Sequence, residues 1–200
     1  MKLYFSPGAC SLASHIALKE LGIPFEPVQV DLRTKKTKAG ADYAAINPKG
    51  YVPALELDDG SLLTEGTAVL QYIADQKPAS GLAPAPASFE RYRLQEWLGY
   101  INSEIHKSFG PLFNPSTPDA TKETAKANIA KRLPLVVQAL AGKDYLMGRF
   151  TVADAYLYTV LSWAPKTGVD LSGFPAITAY LARIDARPAV QAARAAEKPA

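Results

Sequence analysis

The apolar positions of the chain follow one period in its first part and another in its second. Residues 2–5 are a short run of strand formers, residues 10–21 read as a helix, and Val28, Val30 and Leu32 alternate with Gln29, Asp31 and Arg33. Together these predict a βαβ unit. A short helix is expected up to Asn47-Pro48. Beyond it, residues 54–57 and 62–64 flank Asp58-Asp59-Gly60, a hairpin signal, and a helix over 66–76 follows. Past residue 88 the two-residue alternation stops: Leu94, Leu98, Ile101 and Ile105 keep four/three/four spacing along one face of a long helix. Further helices are expected from about 121 to 140, from 152 to 163, and from 175 to a stop before Arg187-Pro188.

Between the two patterns lies KPASGLAPAPAS, residues 77–88, rich in Pro, Ala, Ser and Gly and nearly free of charge. It marks a linker at 79–87 between a domain at 1–78 and another at 88–200. The order βαβ then ββα is that of a thioredoxin-like domain. The expected fold class is therefore an α/β thioredoxin-like N-terminal domain plus an all-α C-terminal domain.

Composition narrows the function. With 48% hydrophobic residues among 200, the chain buries one ordinary core or two small ones. A single cysteine makes no internal disulfide, and the amino end shows no leader pattern, so a reducing, cytoplasmic setting is expected. The longest apolar stretch, near 155–165, is too short for a bilayer, and no membrane span is expected. Net charge is +3, with basic residues clustered only at Arg33, Lys35, Lys36 and Lys38, which argues against nucleic acid. Two His and one Cys argue against a metal site.

The candidate chemistry starts at the lone thiol. Cys10 follows a Ser-Pro-Gly turn and opens a helix, where free N–H groups and the helix dipole favour a thiolate. Moving a thiol pKa down by two units takes ~2.7 kcal/mol, and a helix end supplies at most about 2 kcal/mol, so a second donor is needed. The competing reading is a small buried hydrophobe. There is no Cys-x-x-Cys, so exchange chemistry would need a second thiol from a small molecule.

Pro53, immediately before a strand, is either an ordinary strand start or a cis proline that aims the backbone of Val52 at a peptide-like ligand. Glu65, Gly66 and Thr67 open a helix. They form either a dipole-complementing start or a site whose N–H groups hold a carboxylate while Glu65 pairs with an ammonium. His106 lies off the apolar stripe, on the side of Gly99 and Ser103, as a satisfied side chain or as the missing donor to a thiolate. In the basic loop Lys35 is the lysine placed to reach a ligand carboxylate. His15 and the Thr151 to Asp154 capping box are assigned to folding.

KLYFSPGACSLASHIAL, NPKGYVPAL, LLTEGTAVLQYIAD, EWLGYINSEIHK and RFTVADAYL, in this order and over nearly the whole chain, resemble the cytosolic glutathione transferases, and among them the bacterial beta class. The resemblance implies a homodimer binding glutathione between its domains, a role in detoxification, and a hydrophobic electrophile as second substrate. It places Cys10 at the glutathione sulfur, Val52 with Pro53 on its backbone, Glu65 and Gly66 at the γ-glutamyl end, and Lys35 at the other end. Ser103, Glu104 and His106 fall in a stretch that in the family partly reaches the partner subunit's site. Where the family often has Asn, this chain has Gly99, so a hydrogen bond to glutathione is either absent or supplied by Asn102. Phe5 stands where some relatives have Tyr and cannot donate to a thiolate, which places the weight on Cys10, Ser11 and His106. The expected function is conjugation of glutathione to hydrophobic electrophiles, with thiol-disulfide exchange through Cys10. The alternative is a non-catalytic protein that binds glutathione or apolar ligands. Phe109, Phe113, Tyr156 and Trp163 are candidate pocket walls or core.

Overall fold

The computed structural model describes residues 1–198, in two compact units: Met1–Ala83 with the described chain from Ala186, and Pro84–Asp185.

The first unit is built on a five-stranded sheet in the order β3-β2-β1-β4-β5. Its strands are β1 (Lys2–Phe5), β2 (Glu26–Asp31), β3 (Lys36–Thr37), β4 (Ala54–Glu56) and β5 (Leu62–Thr64). β1 and β2 run parallel, with Tyr4 opposite Val28, so a crossover must join them, and α1 (Leu12–Leu21) supplies it. β4 and β5 are antiparallel neighbours closed by the Asp58-Asp59-Gly60 turn, with Gly60 at φ 84°, where glycine costs nothing. Strand alternation sends Tyr4 into a cluster with Val30, Tyr43, Val52 and Ala54, and turns Phe5 to the other face, where its ring meets His15 of α1. The short α2 (Tyr43–Ile46) is capped by Asp42, which accepts from the Ala44 N–H, and α3 (Gly66–Asp75) follows β5 and packs on α1. The basic run was expected as a loop. In part it is β3, paired to β2 through Val30 opposite Thr37.

The second unit is all helix apart from its connections. α4 (Phe89–Tyr100) starts at Ser88, whose Oγ accepts from the Arg91 N–H. It passes through a π-helical turn at Ile101–His106 into α5 (Lys107–Phe113). α6 (Asp119–Leu140), α7 (Val152–Leu161), α8 (Ala164–Thr167) and α9 (Pro175–Asp185) complete it. The predicted stripe of Leu94, Leu98, Ile101 and Ile105 is buried throughout, and every residue of α7 is buried. The Thr151–Asp154 capping box is formed.

One segment departs from the expected division at residue 88. α10 (Pro188–Ala196) buries Val190 and Ala193 and packs on α1 of the first unit. Arg187 clamps Glu20 with two hydrogen bonds of 2.6 and 2.9 Å, and Glu197 accepts from the Gly8 N–H. Among the described residues no helix is long and apolar enough to cross a membrane.

Candidate active site

In the first unit the sequence-predicted groups converge. The Cys10 Sγ–H donates to the Val52 carbonyl across 3.1 Å, although 42 residues separate them. The Val52–Pro53 bond is cis. Among the described residues the Val52 N–H has no hydrogen-bond partner, so one face of this backbone is open to a ligand. Gly66 lies against the Pro53 ring: a Cβ there would stand 3.8 Å from it. Glu65 sits at φ 69°, a conformation that costs a non-glycine residue energy and is typically kept at functional sites. Its backbone starts α3, leaving the Gly66 and Thr67 N–H groups unpaired at the positive end of the helix. The Glu65 carboxylate turns to Lys49 at 2.6 Å, both side chains more than half exposed. Lys35, at φ 56°, donates to the Gly50 carbonyl at 2.8 Å and lies 5.6 Å from the Tyr51 ring.

The helix expected over 10–21 begins at Leu12, two residues past Cys10. Its own N–H and that of Ser11 lower its pKa, as a helix start should, but burial outweighs them and pushes the thiol up to about 11. The resting side chain is therefore a neutral thiol, the reverse of the thiolate expected from its position. Ser11 is fully buried, its Oγ within 3.2 Å of the Ser6 N–H and 3.4 Å of the Ser6 carbonyl. It holds the turn before Cys10, and a hydroxyl so engaged has no reach to a ligand.

The second-unit groups form two separate contacts. Ser103 is exposed, 3.4 Å from Glu104, and Glu104 pairs with Arg132 of α6 at 2.7 Å. His106 closes the π-helical turn. Its Nδ1 lies 2.6 Å from the Tyr156 hydroxyl, which donates to Asn102 Oδ1 at 3.0 Å, and its ring leans on Trp163 at 5.1 Å. Burial, with a smaller contribution from Lys107, pushes the His106 pKa down to about 4, so the ring is neutral at pH 7. Phe109, Tyr156 and Trp163 are buried and belong to the core, while Phe113 is half exposed. Gly99 borders open space. Among the described residues no cluster suited to a metal ion exists.

The family model described as Glutathione S-transferase, N-terminal domain, matches residues 8–76, and that of the C-terminal domain matches residues 100–188. Glutathione S-transferase GstA of Escherichia coli O157:H7 is 52% identical over 198 residues, 98% of each chain. The chain belongs to the glutathione S-transferase family. Among solved structures, a sphingomonad glutathione S-transferase complexed with glutathione superposes with a TM-score of 0.96 at 53% identity over the whole of both chains. The bacterial beta class glutathione S-transferase of Sphingomonas chungbukensis gives 0.95 at 48% identity over 98% of each. The N-terminal glutathione S-transferase match contains Cys10, Lys35, Val52, Pro53, Glu65 and Gly66; the C-terminal match contains Ser103, Glu104 and His106. Sequence reading of this glutathione S-transferase missed the partners of its ionisable groups: Lys49 for Glu65, Arg132 for Glu104, and Tyr156 for His106. Lys49 stands beside Pro48 in NPKGYVPAL and carried no signal of its own, since only the fold brings it to residue 65.

Proposed function

We propose that this enzyme binds reduced glutathione on the first unit and lets the glutathione sulfur attack a hydrophobic electrophile. The observation that supports it best is the convergence of unused backbone donors: the Val52 N–H next to Pro53, and the Gly66 and Thr67 N–H groups next to Pro53 and Glu65. An α-amino acid end fits such a site, its carboxylate on the helix N–H groups and its ammonium on Glu65 once Lys49 moves aside. Val52 takes the central peptide unit, and Lys35 takes the far carboxylate. This arrangement brings the ligand thiol to Cys10. Because burial keeps Cys10 neutral, the nucleophile in conjugation is the glutathione sulfur, with Cys10 beside it. Ser11 serves the turn and not the chemistry.

Cys10 itself acts in exchange. After losing its proton its sulfur attacks the glutathione sulfur of a mixed disulfide, and the other thiol leaves as thiolate and takes up a proton. A second glutathione thiolate then attacks the Cys10–glutathione bond, releasing glutathione disulfide and restoring Cys10. The enzyme works as a cytoplasmic homodimer in which Ser103 and Glu104 serve the partner's site.

Turnover of an aryl halide and of a small mixed disulfide, measured for wild type beside Cys10→Ala, tests this reading. Conjugation is expected to survive and exchange to disappear; exchange that survives sinks the role of Cys10. Glu65→Ala is expected to weaken glutathione binding in calorimetry, and unchanged affinity removes Glu65 from the site.

A further inference from the structure

Both charged anchors of the first-unit site are occupied at rest by one short stretch of the same unit. Lys49 donates to Glu65 Oε1 at 2.6 Å and to Thr64 Oγ1 at 3.0 Å, and the carbonyl of the next residue, Gly50, accepts from Lys35 at 2.8 Å. Glu65 thus already holds an ammonium, and Lys35 already holds an oxygen. The two contacts differ in what opens them. The backbone of the stretch is pinned: the Gly50 N–H donates to the Asn47 carbonyl at 2.8 Å, and the Tyr51 carbonyl accepts from the buried Asn47 amide at 2.9 Å and from the Tyr43 hydroxyl at 2.7 Å. The Gly50 carbonyl therefore stays where it is. The Lys49 side chain is more than half exposed and leaves Glu65 by rotation about its own bonds, with the turn unmoved.

We propose that Lys49 is an internal stand-in for the ammonium of the γ-glutamyl end, and that it sets how much that ammonium contributes to recognition. The inference rests on the reading above that seats the ammonium on Glu65. Binding is then an exchange: one ammonium leaves the carboxylate and another of the same kind arrives, so the ligand gains only the difference. The fraction of molecules with Glu65 free divides the apparent affinity for any ligand that needs it. The Gly66 and Thr67 N–H groups have no such stand-in, and a carboxylate placed there gains the whole of its interaction with the helix start. At the γ-glutamyl end this enzyme therefore selects its ligand by the carboxylate more than by the ammonium. A lone amine, which meets Lys49 and finds no carboxylate site to fill, is rejected.

Calorimetric affinities for glutathione and for glutaryl-cysteinyl-glycine, the analogue without the ammonium, test the proposal. Lys49→Met keeps the length of the stem and removes its charge. It is expected to bind glutathione about threefold more tightly, the size of effect an exposed ion pair exerts, and to bind the analogue as wild type does. Lys49→Arg grips the carboxylate through two parallel N–H groups and is expected to bind glutathione about twofold more weakly. In a Glu65→Gln background Lys49→Met is expected to change nothing, because the pair it opens is already gone. Glutathione bound more weakly by Lys49→Met would make Lys49 a contact of the ligand, and equal tightening of glutathione and the analogue would reduce it to a general charge effect; either overturns the proposal. Failure of the underlying reading looks different: Glu65→Gln alone then leaves the affinity for glutathione unaltered. If Glu65→Gln weakens binding while Lys49→Met leaves it at the wild-type value, the seat of the ammonium stands and the exchange with Lys49 falls.

Discussion

Nδ1 of His15 lies 3.0 Å from Oε1 of Glu197, and the two side chains are 1% and 3% exposed. The second oxygen of the same carboxylate accepts from the Gly8 N–H at 2.9 Å. One buried carboxylate thus joins α1, the turn leading to Cys10 and the end of α10. Removing it in Glu197→Ala takes the Nδ1 partner from the buried His15 ring and the carboxylate from the Gly8 N–H, at a cost of about 3–5 kcal/mol in urea unfolding. A loss under 1 kcal/mol would show that water takes over both contacts.

The neutral state of Cys10 has a kinetic signature. With a pKa of about 11, only roughly one thiol in ten thousand is ionised at pH 7, against roughly 3% for an unhindered cysteine. Alkylation of the native protein by iodoacetamide should run roughly a hundredfold or more slower than after unfolding in urea, and climb tenfold per pH unit to pH 10. A plateau below pH 9 contradicts the burial effect.

His106 makes stability depend on pH. Its folded pKa, about 4, lies below the ordinary 6.5, so the unfolded chain takes up a proton first. The stabilisation is complete above pH 6.5 and drains away as the pH falls towards 4. Between pH 7 and pH 5 the wild type should lose about 2 kcal/mol more than His106→Asn does. Equal losses in chemical denaturation would mean that the ring titrates normally.

Asp154 supports the second unit from within. Its carboxylate accepts from the Leu146 N–H, the Thr151 N–H and hydroxyl, and the Tyr180 hydroxyl, at 2.8 to 3.0 Å. Asp154→Ala should lower stability by about 3 kcal/mol or more, and Thr151→Ala by about 1 kcal/mol. A Tm unchanged in Asp154→Ala would refute the capping role.

Periodicity made the elements legible because burial enforces it. Leu94, Leu98, Ile101 and Ile105 are spaced for one face and lie buried on one face, and Asp59-Gly60 forms the turn its chemistry favours. The family resemblance supplied the candidate site residues but not their states. Helix-start position argued for a Cys10 thiolate; burial raises its pKa instead, and the carbonyl it meets, that of Val52, lies 42 residues along the chain, where no local pattern records it. The same holds for the π-helical turn, and for Tyr156, which read as pocket wall or core alike and is buried with its hydroxyl between Asn102 and His106. α10 was missed because a short amphipathic helix does not announce which body it covers.

That last helix sets an order on biosynthesis. The segment packed on α1 leaves the ribosome more than a hundred residues after the sheet of the same unit. During translation the Cys10 turn is exposed without Glu197 or Arg187, while the helices of Pro84–Asp185 are already available to fold. The half of the molecule made first is the half finished last, and a nascent chain stalled before residue 186 presents a first unit that lacks α10.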